Sequence, residues 1–272
     1  MNSTISQVVR DTQQRWYGKY RGFVVDNQDP EQRGRLRLRV PSVFSEEITG
    51  WALPCLPFGG KAAQGLFMVP EPESQVWVEF EEGIVTQPIW SGVFYQQQSD
   101  VPEDAQHSEP TTRLLQTPAG HILQFDDADG AERFRLYHPA ATELSIDEQG
   151  SVKLQQDNGA QLSLDASANE VVLSDSNGNR LTMNSSGTVV EDANGNRISM
   201  AAAGITVEGQ QITIQGSQVA VGGSGGEPLI KGSSFLALFA THVHTCTAPG
   251  SPTSPPIPQG EMSTLTTKTT AS

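Results

Sequence analysis

The chain predicts an all-β fold in two parts, an N-terminal barrel of the OB kind and a C-terminal intertwined trimeric β-helix or β-prism needle. Three observations predict it. Apolar residues alternate with polar ones in short runs, the period of strands. Turn-forming Gly (26) and Pro (17) are abundant while hydrophobic residues reach only 36%, which argues against long helices. Beyond residue 112 a short Gly-Asn-Arg unit recurs at near-constant spacing, the mark of a stacked repeat. At 272 residues the chain can bury a real core. Seventeen Lys and Arg against 31 Asp and Glu give a net charge of −14, so the molecule repels nucleic acid and anionic membrane surfaces.

The opening residues, MNSTISQVVRDTQQRWYG, lack the basic start, apolar stretch and cleavage site of a secretory signal. Synthesis in the cytoplasm without a signal peptide is the expectation. Cys55 and Cys246 stand 191 residues apart in unlike contexts and read as free thiols. Charge divides the chain. Residues 1–99 hold 11 acids and 9 bases, residues 100–222 hold 18 acids and 6 bases, and a polar stretch without apolar period lies between. The expected organisation is an extension over 1–17, an OB-fold domain over 18–96, a linker over 97–111, a triple-stranded β-helix over 112–226, and a tip with a fold-back tail over 227–272.

In the first domain Leu36, Leu38 and Val40 alternate with Arg35, Arg37 and Arg39, and Val76 and Val78 alternate with Gln75, Trp77 and Glu79. Asn27-Gln28-Asp29-Pro30, Phe58-Gly59-Gly60 and Glu82-Gly83 punctuate the runs. About five strands in some 80 residues suit a small closed barrel such as an OB-fold. Arg33, Arg35, Arg37 and Arg39 read either as a solvated strand face or as a basic stripe that docks on an acidic neighbour. Trp51, Trp77 and Trp90 lie in or beside apolar runs and read as packing residues rather than base-stacking platforms.

Tyr17-Gly18-Lys19-Tyr20-Arg21-Gly22, Asp29-Pro30 with Arg33-Gly34-Arg35-Leu36-Arg37-Leu38-Arg39-Val40-Pro41, Gly50-Trp51-Ala52, Gly65-Leu66-Phe67-Met68-Val69-Pro70, Val76 to Gly83 and Pro88-Ile89-Trp90-Ser91-Gly92 follow in order over about 75 residues. Together they resemble the OB-fold domain of central spike proteins in phage tail baseplates and related contractile injection systems. The resemblance implies a virion or tail-like particle component, attachment through the OB-fold to a baseplate hub protein, and in some relatives a PAAR-type protein at the tip. It implies no enzymatic activity here, since the 97–111 connection leaves no room for the lysozyme domain that some relatives insert.

Gly159-Ala-Gln-Leu162-Ser-Leu164, Gly178-Asn-Arg-Leu181-Thr-Met183 and Gly195-Asn-Arg-Ile198-Ser-Met200 share one pattern at spacings of 19 and 17 residues, and Gly120 to Phe125 is a looser copy. Asn-Gly turns separate the strands. Ile205-Thr-Val207, Ile212-Thr-Ile214 and Val219-Ala-Val221 continue at steps of seven. Each strand offers only two or three apolar residues, too few for one chain to bury, so three copies are expected to wrap about one axis as a stiff rod. Asp126, Asp127 and Asp129 form a solvated turn instead of a calcium loop, because no closing glutamate follows at EF-hand spacing. No carboxylate pair or Ser/His/Asp set suggests catalysis.

Phe235 to Ala240 predicts a short helical or strand plug before Thr241-His242-Val243-His244-Thr245-Cys246. On an extended chain His242 and His244 share a face. Three chains would offer six imidazoles to one axial ion, an octahedral site suited to iron, and the resemblance supports it, because spikes of this family can end in such a His-x-His iron motif. Cys246 on the same face would favour zinc instead. About 28 residues follow the motif. His107, His121 and His138 are scattered and read as having no such role. The functional expectation is a homotrimeric spike that punctures a target cell membrane by force. The alternative is a trimeric receptor- or glycan-binding fibre.

Overall fold

The computed structural model describes residues 15–217 and 232–241. The chain divides after Glu208 into two units. The first holds a small barrel and a long sheet.

The barrel is built from β1 (Tyr20–Asp26), β2 (Arg37–Arg39), β3 (Leu53–Pro54), β4 (Gln75–Phe80) and β5 (Pro88–Val93), in the order β2-β1-β4-β5-β3. β3 runs parallel to β5 and the other pairs are antiparallel. The two edges meet through Leu36 and Ala52, whose backbones exchange both hydrogen bonds at 3.1 and 2.8 Å. Closure leaves no open edge. Period-two alternation turns Val24, Leu36, Leu38, Val40, Val76 and Val78 wholly inward, with Phe80 and Trp90 beside them. Burial of each such side chain contributes about 1.5–3 kcal/mol. Gly22 is glycine for a packing reason: a Cβ there would meet Val78 Cγ2 at 2.5 Å. The indole of Trp90 donates to the Gly34 carbonyl at 3.1 Å, so its polar edge is satisfied inside the core.

Residues between the barrel and the sheet are ordered by polar contacts. Asp100 accepts from the Gln96 and Gln97 amides and from the Gln75 side chain. A 3-10 turn at Glu103–Ala105 brings Asp104 onto Arg135 at 3.1 Å.

The sheet comprises β6 (Thr112–Gln116), β7 (Ile122–Asp126), β8 (Arg133–His138), β9 (Thr142–Ile146), β10 (Val152–Gln155), β11 (Gln161–Asp165), β12 (Glu170–Ser174), β13 (Arg180–Asn184), β14 (Gly187–Glu191), β15 (Arg197–Ala201) and β16 (Gly204–Glu208). Every strand pairs antiparallel with its neighbours in sequence. Within one chain, residues 112–208 therefore form an antiparallel meander and close no helix, because each tight hairpin returns the next strand beside the last.

The recurring turn explains the repeat. In Asp175-Ser-Asn-Gly-Asn179 the Asp175 carboxylate accepts the amides of Asn177 and Asn179 at 2.8 and 2.9 Å, and Gly178 takes φ +94°. Asp192-Ala-Asn-Gly-Asn196 repeats this contact for contact. The side-chain and backbone N–H groups of Asn179, followed by those of Asn177, pull the Asp175 carboxyl down to about 2, and Asn196 lowers Asp192 in the same way.

Two expectations end differently. Ile212–Ile214 forms no strand: Gly209-Gln210-Gln211 lacks the Asp-to-Gly chemistry that turns the chain after β12 and β14. Val219–Val221 lies outside the described residues. In the second unit the apolar stretch is a helix, Gly232–Thr241, with Phe235 and Phe239 stacked one turn apart.

Two outcomes follow. Leu38→Ala should lower the unfolding free energy by about 2–5 kcal/mol in denaturant titration, since the closed barrel cannot collapse onto the cavity. Because the Asp175 carboxyl is depressed, its contribution is full above the ordinary carboxylate range near pH 4 and is lost as pH falls through about 2. In selectively 15N-asparagine-labelled protein, the Asn177 and Asn179 amides should shift with a midpoint near pH 2; a midpoint near pH 4 would show that the turn is not built on this carboxylate.

Candidate functional site

The register places side chains in rows across the sheet. On one face a row reads Leu115, Leu123, Leu136, Leu144, Leu154, Leu162, Leu173, Leu181, Val190, Ile198 and Val207, one aliphatic residue from each of eleven strands. Two residues along each strand a second row reads Arg113, Phe125, Phe134, Ile146, Val152, Leu164, Val171, Met183, Thr188, Met200 and Ile205. Twenty of these 22 positions are apolar and none is buried: Leu136 is 49%, Leu173 51% and Ile205 72% exposed. With strands about 4.8 Å apart, the stripe runs on the order of 50 Å. Soluble proteins rarely leave so large an apolar surface without a partner.

The opposite face is different. Its central row is mostly polar: Gln124, Arg135, Ser145, Lys153, Ser163, Thr182, Ser199 and Thr206 share it with Leu114, Val172 and Val189, of which Val172 is buried. Near the barrel Arg135 anchors this face, holding Glu143 at 2.9 Å, Asp104 at 3.1 Å and the Gln124 carbonyl at 3.2 Å. Gln124 is buried beneath this network. The chain thus covers part of its polar face and leaves its apolar face open.

The arginines of the barrel divide. Arg35 packs on the face of Trp51 and forks onto Asp29 at 2.6 and 3.0 Å. Asp29 also accepts the Glu31 and Arg33 amides, and the Arg35 guanidinium, chief among these partners, holds its carboxyl far below the ordinary range. Arg33 pairs with Glu31 and Arg39 lies over Phe23. Arg35 is therefore structural, and the arginines do not act as one stripe. Trp77 packs against Phe94 with ring centres 4.8 Å apart.

Asp126 is engaged by Thr112, Gln124 and Arg133, and Asp127 by Arg113, so these acids serve the strand ends. Among the described residues no group of three His, Cys, Asp or Glu side chains could hold a metal. His242 and His244, the expected metal ligands, lie outside the described residues, as does Cys246. Cys55 is exposed and free. The structure does join two histidines read as scattered: His121 and His138 face each other with ring centres 4.7 Å apart at 69°. Their sums with the register pair Ile122 and Tyr137 agree, so counting back from the Asp126–Arg133 hairpin could have paired them.

Among the described residues no helix is long and apolar enough to cross a membrane. No curated protein matches the chain. Of the solved structures it overlaps, the SAS-4 (dCPAP) TCP domain of Drosophila melanogaster, in complex with a proline-rich motif of Ana2 (dSTIL), is 10% identical over 38% of this chain and 75% of that one, with a TM-score of 0.25. The G-box domain of the microcephaly protein CPAP is 11% identical over 70% and 99%, with a TM-score of 0.27. Overlaps this slight carry no argument about fold or function. Residues 20–95, however, match the family model of the Type VI secretion system/phage-baseplate injector OB domain. Those bounds coincide with the closed five-stranded barrel, which is thus an OB domain similar to that of the baseplate injectors.

Proposed function

We propose that the protein is the homotrimeric central spike of a contractile injection baseplate, in a phage tail or a related particle. The observation that carries this reading is the eleven-strand apolar row left open by a single chain. Three copies wrapped about one axis would turn the three rows inward as a continuous core and leave acidic, hydroxyl-rich faces outside. The injector-type OB domain supports placement in a baseplate, attached to the hub. Past Tyr137 the strands carry no aromatic residue, which favours a penetrating needle over a glycan-binding fibre.

The spike acts by force and catalyses nothing. Sheath contraction drives it through the target envelope, and strands held between chains unfold slowly because opening one requires breaking non-local contacts. His242 and His244 of three copies would hold an iron, with zinc the alternative where Cys246 joins them, and a PAAR-type protein is a candidate cap.

Light scattering of the purified chain should return a mass of three chains, with about one iron per trimer that His242→Gln/His244→Gln removes without dissociating it. Leu173→Asp, on the apolar row, should release monomers; Ser163→Asp, on the other face, should not. A monomeric wild-type chain would overturn the reading.

A further inference from the structure

On the apolar face the strands β7, β8 and β9 end differently on their two sides. On one side His121 and His138 stand paired beside a hollow lined by Leu115, Leu123, Leu136 and Leu144, with no charged side chain in it. The Ala140 amide donates to His138 Nδ1 at 3.1 Å. The neutral ring therefore carries its proton on Nε2 and offers a hydrogen-bond donor. On the other side, a groove bordered by Phe125, Phe134 and Ile146 carries Asp127, Glu132 and Glu148. Asp127 and Glu132 continue the alternation of Phe125 and Phe134 onto the apolar face just past the strand ends, Glu148 stands in the turn after β9, and Arg133, which also lines the groove, is paired with Asp126. Asp127 is held by Arg113 and Glu148 accepts from the Gln149 side chain, while Glu132 makes no ion pair among the described residues. One side of the same three strands thus offers donors and the other acceptors, separated by about 17–20 Å of strand.

Closure about a threefold axis is head to tail, so one lateral side of each copy meets the opposite side of the next. We infer that the His121–His138 side of one copy docks on the Glu132–Glu148 side of the neighbouring copy, imidazole donors meeting carboxylate acceptors where two sheets form a corner. The inference rests on the trimeric reading above and adds the contact and its direction. A twofold axis along the strands would instead set carboxylates against carboxylates, which repel. The pairing therefore fixes the direction in which copies follow one another about an axis along the stack.

Disulfide trapping tests it in a Cys55→Ser/Cys246→Ser background. His138→Cys is combined in one chain with Glu132→Cys or with Glu148→Cys, the protein is oxidised, and the bands are read on a non-reducing gel. Residues 138 and 132 lie at opposite ends of one strand, far beyond disulfide reach within a chain. At least one double variant should give a covalent trimer, while each single-cysteine variant should stay at the mass of one chain on the gel. Circular dichroism and light scattering before oxidation establish that each variant is folded and what its mass is. A trimer in which neither pair cross-links, or a His138→Cys single variant that forms covalent dimers, overturns the corner contact and leaves the trimer standing. A monomer before oxidation overturns both.

Discussion

A β-sheet with one apolar face needs a second layer, and residues 112–208 supply none. Most sheets in soluble proteins cover that face with a helix, a second sheet or closure upon themselves. Here the eleven-strand row from Leu115 to Val207 stays open while the polar face near the barrel is pinned beneath Asp104, Arg135 and Glu143. The uneven treatment of the two faces is the constraint from which the other features follow. A chain that leaves apolar area uncovered gains little from that area alone, so the hairpins must hold their shape by local means. The Asp175 and Asp192 turns provide this, each satisfying backbone amides with one carboxylate and placing glycine where a left-handed φ is required.

The barrel solves the same problem the other way. Leu36 and Ala52 join its edges, and its core is complete within about 75 residues. Arg35 and Asp29 fasten the loop before β2, with two guanidinium N–H groups donating to Asp29 Oδ1 and the Arg33 and Arg35 amides to Oδ2, and the pair is only slightly open to water. The chain therefore couples a module with a complete core to a sheet whose apolar face is left open. Asp100 and Asp104, by fastening the connecting residues to Gln75 and Arg135, keep that coupling short and ordered.

Legibility in the sequence followed the range of the interactions. Period-two alternation revealed β1, β2 and β4 because each pattern lies within one run, and the Asn-Gly corners were visible for the same reason. The full apolar row was harder: Gly178-Asn-Arg-Leu181 and Gly195-Asn-Arg-Ile198 announced two of its members, but aligning Leu115 with Leu123 and Leu136 requires the register across corners of unequal length. The His121–His138 pair was missed for that reason. Asp29 and Arg35 looked like a turn residue and one of a stripe of arginines, since their pairing depends on how the loop folds over the strand. Ile212–Ile214 has the strand alternation of its predecessors but lacks a turn to bring it beside β16, so alternation alone overstated it.

The direction of assembly is the remaining step. An open apolar face could be satisfied by any apolar layer, and a dimer would be the simplest arrangement. The asymmetry of the strand ends, with histidines on one side and carboxylates on the other, bears on direction instead: copies related about an axis along the stack meet unlike end to unlike end, whereas a twofold axis along the strands would bring like against like. In this view the aliphatic row would supply most of the driving force, while a few polar side chains at its margins would set the direction in which copies follow one another. On the trimeric reading proposed above, folding of residues 112–208 and assembly would become one equilibrium, and the stability of this half of the chain would depend on its concentration while that of the barrel would not.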